Sequence, residues 1–179
     1  MGKYVGSLSK SRSWGVDFLV ILVVLGTQDK SFCRLLEMLE TVINEEDLQD
    51  QILVQAGYTK FTSDKMEIHD YFDMVEFERL LQRCDFLITH GGVGTIMAAL
   101  KLGKKVIASP RKAQFGEHHN DHQQQIVDSF EEKGYILACT NLEQLRQSLQ
   151  SVHDFIPKQF VSNQKKFTDL IRKEIEGFE

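Results

Sequence analysis

The residues best suited to chemistry lie in the segment His90–Gln125. Three glycines, Gly91, Gly92 and Gly94, follow its first residue and precede Thr95. Glycine lets the backbone approach a ligand closely, and a helix beginning there would offer free N–H groups and a positive dipole end to a diphosphate. The spacing matches neither the dinucleotide fingerprint nor the P-loop. An ordinary tight turn is the alternative interpretation.

A long polar loop, residues 110–125, completes this segment and enters a predicted helix. It carries two basic side chains, one aromatic ring and one carboxylate, namely Arg111, Lys112, Phe115 and Glu117. The basic side chains are candidate phosphate partners. The ring could stack on a base, and the carboxylate could accept hydrogen bonds from ribose hydroxyls. A solvated polar helix start is the alternative for Gln124 and Gln125.

Two histidines of this loop, His118 and His122, lie four residues apart and could share one helix face. That spacing suits a pair of zinc ligands. The sequence has no H-E-x-x-H motif, however, and no further ligand stands out. We therefore expect no metal site.

Alternating strands and helices position these loops. Phe18–Leu25 is an apolar, β-branched run that predicts a buried strand, and Asp73 followed by Glu76 predicts a helix N-terminus. Further strands are predicted at residues 51–55, 66–72, 86–89, 106–108 and 135–138. Helices are predicted at residues 32–43, 73–84, 95–102, 120–133 and 142–149, with a charged amphipathic helix after residue 157.

This alternation predicts an α/β fold, a Rossmann-like parallel sheet with helices on both faces. Ligands bind such sheets at the carboxyl ends of the strands, near the switch in strand order. The loops after Leu25, Thr89 and Ser109 should therefore form one cleft. The first of them, Gly26-Thr27-Gln28, would place backbone donors and a hydroxyl across from His90, although it too could be an ordinary turn.

Length and composition indicate a single soluble domain. The chain has 179 residues and a net charge of −5, which argues against nucleic acid as its main ligand. Its three cysteines are widely spaced and favour a reducing compartment. The longest apolar run is too short to span a bilayer.

The combined motif set resembles glycosyltransferase family 28, C-terminal domain type, over about residues 19–145. The segments that carry the resemblance are His90–Thr95, Pro110-Arg111, Phe115–His118, Asn120–Gln123 and the first loop, Gly26-Thr27-Gln28. The chain is similar to PssE-like bacterial exopolysaccharide and capsule glycosyltransferases. It is also similar to the catalytic subunit of the eukaryotic two-subunit GlcNAc transferase of dolichol-linked glycan assembly.

The resemblance implies a UDP-sugar donor, the C-terminal, donor-binding half of a GT-B fold, inversion at the anomeric carbon, and no metal or other cofactor. It assigns donor contacts to Gly26, Thr27, Gln28, His90, Gly91, Gly92, Gly94, Thr95, Glu117, Asn120, His122 and Gln123. A full-length peptidoglycan transferase of the family holds the uridine ribose with a glutamate early in the helix after the glycine loop. Here residues 96–100 contain no acid, so Glu117 becomes the candidate ribose contact.

The resemblance also implies a missing half, because GT-B catalysis takes place between a donor domain and an acceptor domain. We expect a membrane-anchored partner subunit to supply the site for a lipid-linked saccharide and to hold this cytoplasmic chain at the inner face of the membrane. Helix amides, His90 and Arg111 are candidates for stabilising the departing UDP, and His90 is also a candidate base. The predicted division is a flexible extension (1–17), a nucleotide-sugar-binding domain (18–156) and an amphipathic helix packed on it (157–179).

Three functional hypotheses remain at this point. The first is the catalytic donor-binding subunit of an inverting hexosyltransferase, which moves galactose or GlcNAc from a UDP-sugar to a lipid-linked saccharide in polysaccharide biosynthesis. The second is a non-catalytic nucleotide-sugar-binding or enhancer subunit of a partner transferase. The third is a sugar-nucleotide epimerase, which can share the GT-B architecture but usually needs both domains in one chain.

Overall fold

Strands and helices alternate along the chain in the computed structural model, which describes residues 19–160. The strands are β1 Val20–Val24, β2 Gln51–Gln55, β3 Glu67–His69, β4 Phe86–Thr89, β5 Lys105–Ala108 and β6 Leu137–Ala138. The α-helices are α1 Cys33–Glu46, α2 Met74–Arg83, α3 Val93–Lys101, α4 His122–Glu132 and α5 Leu142–Ser151, and a short 3-10 turn spans Ala113–Phe115. The predicted α/β alternation is confirmed.

The strands form one sheet in the order β3-β2-β1-β4-β5-β6, and every neighbouring pair is parallel. The strand order reverses between β1 and β4, so the topological switch point lies there. Because the strands are parallel, their carboxyl ends share one edge of the sheet. The loops after β1, β4 and β5 are therefore neighbours, as the sequence predicts.

Helices cover both faces of the sheet, and the side chains of β1 alternate between two cores. Ile21 and Val23 pack in the core that includes the buried residues of α1 and α5, which are Leu35, Leu36, Leu39, Val42, Ile43, Leu145 and Leu149. Leu22 and Val24 pack in the opposite core, with the buried residues Leu80, Leu81, Ile96, Ala99, Leu100 and Val127 of α2, α3 and α4. This period-two alternation follows from the pleat of a strand.

The start of α3 differs from its prediction and bears on the cleft. The helix begins at Val93, two residues before the predicted Thr95, and Gly92 is its N-cap. Its first internal hydrogen bond runs from Ile96 N to Gly92 O at 3.2 Å. Glycine lowers helix propensity, which is why the pattern suggested a later start. As a result, Gly94 lies in the first turn of the helix.

The third strand is shorter than predicted. We expected a strand over residues 66–72, but β3 ends at His69. The chain turns there toward Asp73, whose side chain accepts a hydrogen bond from Glu76 N and caps α2, as the sequence predicts. Tyr71 and Phe72 consequently lie in a loop at the carboxyl edge of the sheet.

The chain ends lie largely outside the described residues. The predicted extension over 1–17 and most of the helix predicted after residue 157 fall outside 19–160, and residues 157–160 are not helical. The division into three parts therefore stays a prediction. Among the described helices, none is long and apolar enough to cross a membrane.

Candidate functional site

A cleft of about 380 Å³ opens at the carboxyl edge of the sheet, beside the switch point. Its lining includes the predicted residues Gly26, Thr27, His90, Gly92, Gly94 and Thr95. The structure thus brings together the loop after β1 and the glycine turn after β4. The cleft volume falls in the usual range for small-molecule sites.

The imidazole of His90 fills the space between two glycines. A Cβ atom on Gly26 would lie 2.6 Å from His90 Nε2, and one on Gly92 would lie 2.3 Å from the same atom. Gly26 also has a φ of +83°, a conformation that favours glycine. The two glycines are therefore required by the position of the ring, which lies at the floor of the cleft.

Hydrogen bonding and burial determine the protonation of His90. Its Nδ1 lies 3.3 Å from Thr89 Oγ1 and 3.4 Å from the carbonyl oxygen of Val24, while Thr89 Oγ1 donates to that same carbonyl at 2.9 Å. A carbonyl can only accept, so these contacts favour a proton on Nδ1 and a lone pair on Nε2. Burial lowers the pKa of His90 to about 4; the Val24 carbonyl opposes this shift, and Arg111 adds to it.

We expect the ring of His90 to stay neutral down to about pH 5. With a pKa near 4 in the folded chain and about 6.5 in the unfolded chain, the unfolded state binds more protons between these values. The contribution of the neutral His90 ring to the free energy of unfolding is complete above pH 6.5. It is lost as the pH falls to 4, by an amount on the order of 2–3 kcal/mol. Urea unfolding of the wild type and His90→Asn at pH 7 and pH 4.5 would measure it. Equal losses of stability in both proteins would contradict the prediction.

The start of α3 supplies unpaired backbone donors to the cleft. The N-cap residue Gly92 makes no side-chain capping bond, and the first N–H groups of a helix have no partner within it. Gly94 and Thr95 of this first turn line the cleft, and a Cβ atom added to Gly94 would meet no atom within 4 Å. This open space beside a helix N-terminus suits an anion such as a diphosphate.

Gly91 lies at a close contact between the glycine turn and α4. A Cβ atom there would lie 2.7 Å from Gln123 Cβ and 2.8 Å from its carbonyl oxygen. Gln123, in the first turn of α4, is buried, and its Oε1 accepts a hydrogen bond from Arg111 N at 3.1 Å. These two predicted donor contacts therefore connect the glycine turn, α4 and the loop after β5.

The charged side chains predicted to contact the donor, those of Arg111 and Glu117, point into the protein interior. Arg111 is 1% exposed, and its guanidinium donates to backbone carbonyls, including Leu25 O at 2.8 Å and Lys30 O at 2.7 Å. Glu117 is 4% exposed, and both of its carboxylate oxygens are held by Arg34, at 2.8 and 2.9 Å. Neither side chain lines the cleft as the structure stands.

The other predicted contacts lie outside the cleft lining. Phe115 is 56% exposed, with the guanidinium of Arg34 over its ring, and Asn120 and His122 are exposed at the start of α4. Gln28 is also absent from the lining. Among residues 19–160, no group of three His, Cys, Asp or Glu side chains is placed to hold a metal.

One wall of the cleft was not predicted from the sequence. It is formed by Gln55 at the end of β2 and by four large side chains after β3, namely Tyr71, Phe72, Met74 and Phe77. Phe72 N donates to Gln55 Oε1 at 3.2 Å, which ties the loop after β3 to β2. The sequence signal for this wall was the aromatic pair Tyr71-Phe72 next to the N-cap of α2. It was missed because the predicted third strand extended to residue 72.

Comparison with known sequences gives a family match over most of the chain. Residues 20–175 match the family described as Glycosyltransferase family 28 C-terminal domain. A 59-residue stretch is 37% identical to the UDP-N-acetylglucosamine transferase subunit ALG13 of Saccharomyces cerevisiae. This stretch covers 33% of the chain and 27% of that relative, so the chain aligns with well under two thirds of the relative's length.

Comparison with solved structures shows the same fold. The NMR structure of ALG13 superposes with a TM-score of 0.55 at 19% identity, covering 86% of this chain and 94% of that one. The UDP-GlcNAc 2-epimerase of Methanocaldococcus jannaschii gives a TM-score of 0.62 at 17% identity, covering 90% of this chain but 46% of that one. MurG of Acinetobacter baumannii gives 0.57 at 17% identity and covers 78% and 42%. The predicted half of a GT-B fold is confirmed.

Proposed function

The chain belongs to the glycosyltransferase family 28 C-terminal domain family, and on this premise we propose that it is the donor-binding catalytic subunit of an inverting, UDP-sugar-dependent hexosyltransferase. The observation that carries the proposal is the open space at the start of α3. Unpaired helix N–H groups and the open space at Gly94 face one cleft at the switch point, and the neutral ring of His90 lies beside them. A diphosphate needs that combination of donors and backbone clearance.

The two sides of the cleft match the two ends of a nucleotide diphosphate. The glycine turn and Thr95 offer polar donors, whereas Tyr71, Phe72 and Phe77 offer an apolar wall. A base buries its faces against aromatic and apolar side chains. We therefore place the base toward the loop after β3 and the phosphates toward α3. In this arrangement the sugar lies toward the loop after β5, which carries Asn120 and His122.

Isothermal titration of the full chain with UDP, UDP-GlcNAc and UDP-galactose tests donor binding. We expect saturable binding of UDP and of one UDP-sugar. UDP-GlcNAc is the first candidate, because the similar yeast protein is named as a subunit of a UDP-N-acetylglucosamine transferase. Circular dichroism would verify that the chain is folded. A folded chain that binds none of these ligands would overturn the proposal.

We propose that a second protein supplies the acceptor side of the reaction, because the similar yeast protein is named as a transferase subunit. The described residues form one sheet, and the cleft lies at one edge of it. The chain covers less than half of the length of MurG and of the epimerase. We propose a membrane-anchored partner subunit that presents a lipid-linked saccharide and holds the chain at the cytoplasmic face. Co-expression with such a partner and transfer from radiolabelled UDP-sugar to a lipid fraction would test this step.

Tyr71→Ala should weaken binding through the base and not through the phosphates. Tyr71 is 48% exposed at the cleft wall, and loss of one base–aromatic contact costs about 1–3 kcal/mol. We expect UDP and uridine to lose affinity by about the same factor, ~10-fold, and pyrophosphate to be unaffected. Val75→Ala, at a residue that is also exposed but outside the lining, is the matched control. An unchanged uridine affinity would place the base elsewhere.

A further inference from the structure

The guanidinium of Arg111 joins the loop after β1 to the loop after β5. Its Nη2 donates to Leu25 O at 2.8 Å, and its Nη1 donates to Lys30 O at 2.7 Å and to Glu117 O at 3.2 Å. The first two acceptors flank the loop after β1, and the third belongs to the loop after β5. The third donor, Nε, is buried without a hydrogen-bond partner among residues 19–160. Because the residue is only 1% exposed, none of its donors is open to a ligand in the cleft.

This contact orients a peptide group at the floor of the cleft. In a trans peptide the N–H points opposite to the C=O. Because Leu25 O points at Arg111, the N–H of Gly26 points away from the guanidinium, and Gly26 lines the cleft. Arg111 thereby fixes the orientation of the peptide group that carries the Gly26 N–H at the cleft.

An ion pair supports Arg111 from the other side. Arg34 of α1 binds Glu117 through two bonds, Nε to Oε1 at 2.8 Å and Nη2 to Oε2 at 2.9 Å. Glu117 Oε2 also accepts from Lys112 N at 2.9 Å, and Arg34 donates to Pro110 O at 2.9 Å. Paired bonds of this kind are strong and directional. The pair therefore fixes the loop after β5 against α1.

The ring of Phe32 connects the two arginines. The Cζ atoms of Arg34 and Arg111 lie 5.2 and 4.9 Å from its centroid, within the range of a cation–π contact. Phe32 N in turn donates to Thr59 Oγ1 at 3.0 Å. Two cations, one carboxylate and one ring thus form a single buried network behind the cleft.

We propose that Arg111 and the Arg34–Glu117 pair are positioning residues, which hold the loops after β1 and β5 at a fixed separation so that the amide of Gly26 meets the donor diphosphate. This inference rests on the proposed function, since it assumes a nucleotide diphosphate in the cleft. It replaces direct phosphate contact by Arg111 and direct ribose contact by Glu117 with an indirect role for both.

Glu117→Gln and Arg34→Gln, alone and together, test the role of the pair. We expect each single variant to weaken UDP binding about 10-fold. The double variant should lose less than the sum of the two single losses, because the ion pair is removed in all three. The ratio of UDP to 2′-deoxy-UDP affinity should stay at its wild-type value. A ratio that changes in Glu117→Gln alone would show that Glu117 reads the ribose and would overturn the proposal.

Arg111→Lys separates positioning from phosphate contact. A lysine keeps the positive charge but cannot bridge carbonyls of two loops with a planar fork. We expect UDP affinity to fall at least 10-fold in Arg111→Lys, and added ethylguanidinium to restore binding in Arg111→Ala. Retention of wild-type affinity in Arg111→Lys would overturn the proposal.

Arg146→Gln is the matched control, since it removes a surface ion pair between α5 and Glu46 of α1. It should leave UDP affinity unchanged. Hydrogen exchange of the amides of residues 26–31 gives a readout without ligand, and we expect faster exchange in Glu117→Gln than in Arg146→Gln. If wild-type protein fails to bind UDP, the proposed function fails, whereas equal exchange in the two variants overturns the positioning role.

Discussion

Gly94→Ala is expected to weaken donor binding strongly while leaving the unliganded protein at least as stable as the wild type. Gly94 lies in the first turn of α3, and an added Cβ atom meets nothing within 4 Å. Alanine in a helix is more stable than glycine by about 0.5–1 kcal/mol. The vacant space at this residue faces the cleft, however, where the proposed diphosphate approaches the helix N–H groups. A methyl group there would hold the phosphates away from these donors.

We expect UDP affinity to fall by ~100-fold or more in Gly94→Ala, equivalent to about 2.7 kcal/mol. Thermal unfolding without ligand and isothermal titration with UDP measure the two effects separately. Lys101→Ala, in the last turn of the same helix, is the control and should change neither UDP affinity nor the transfer rate. If Gly94→Ala binds UDP as the wild type does, the diphosphate does not lie at the start of α3.

The second large effect is expected from His90→Asn in the transfer reaction. A neutral Nε2 with a lone pair can accept a proton or a hydrogen bond from a hydroxyl group, and the ring lies at the floor of the cleft between Gly26 and Gly92. A pKa near 4 makes His90 a weak base in the unliganded chain. A bound diphosphate would add negative charge nearby and raise the pKa of His90 toward the working range.

We expect kcat for transfer to fall about 10²–10³-fold in His90→Asn, within the range for removal of an acid–base group, while UDP affinity changes less than threefold. The measurement is the initial rate of sugar transfer in the complex with the partner subunit. His119→Asn, at an exposed residue outside the cleft lining, is the control. Full transfer activity in both His90→Asn and Gly94→Ala would indicate instead a non-catalytic subunit whose partner performs the chemistry.

The strands and helices of this protein were predictable because the sequence patterns that specify them are local. The apolar run of β1 and the cap at Asp73 each specify a strand or a helix end from neighbouring residues alone. Parallel connectivity then places the carboxyl ends of all strands at one edge, since a crossover returns each strand in the same direction. The sequence alone therefore assigns the loops at 26–28 and 90–95 to one cleft.

The direction of the charged side chains was decided by tertiary structure. Arg111 reaches Leu25 O across 86 residues of sequence, and Arg34 reaches Glu117 across 83. Arg111 and Glu117 were predicted as donor contacts from their place in a polar loop. Local sequence does not distinguish an arginine that meets a phosphate from one that meets a buried carbonyl. Only packing of α1 against the loop after β5 supplies those internal acceptors, and charge-assisted hydrogen bonds to them offset the desolvation of the buried guanidinium.

The remaining wall of the cleft was also set by packing. Where β3 ends depends on its three-residue pairing with β2, a contact that the alternation of residues 66–72 does not encode. The sequence by itself therefore determined the fold, the sheet edge that carries the cleft and the glycine turn beside α3. The tertiary structure decided which polar groups line the cleft and which are buried behind it, because that choice depends on partners distant in the chain.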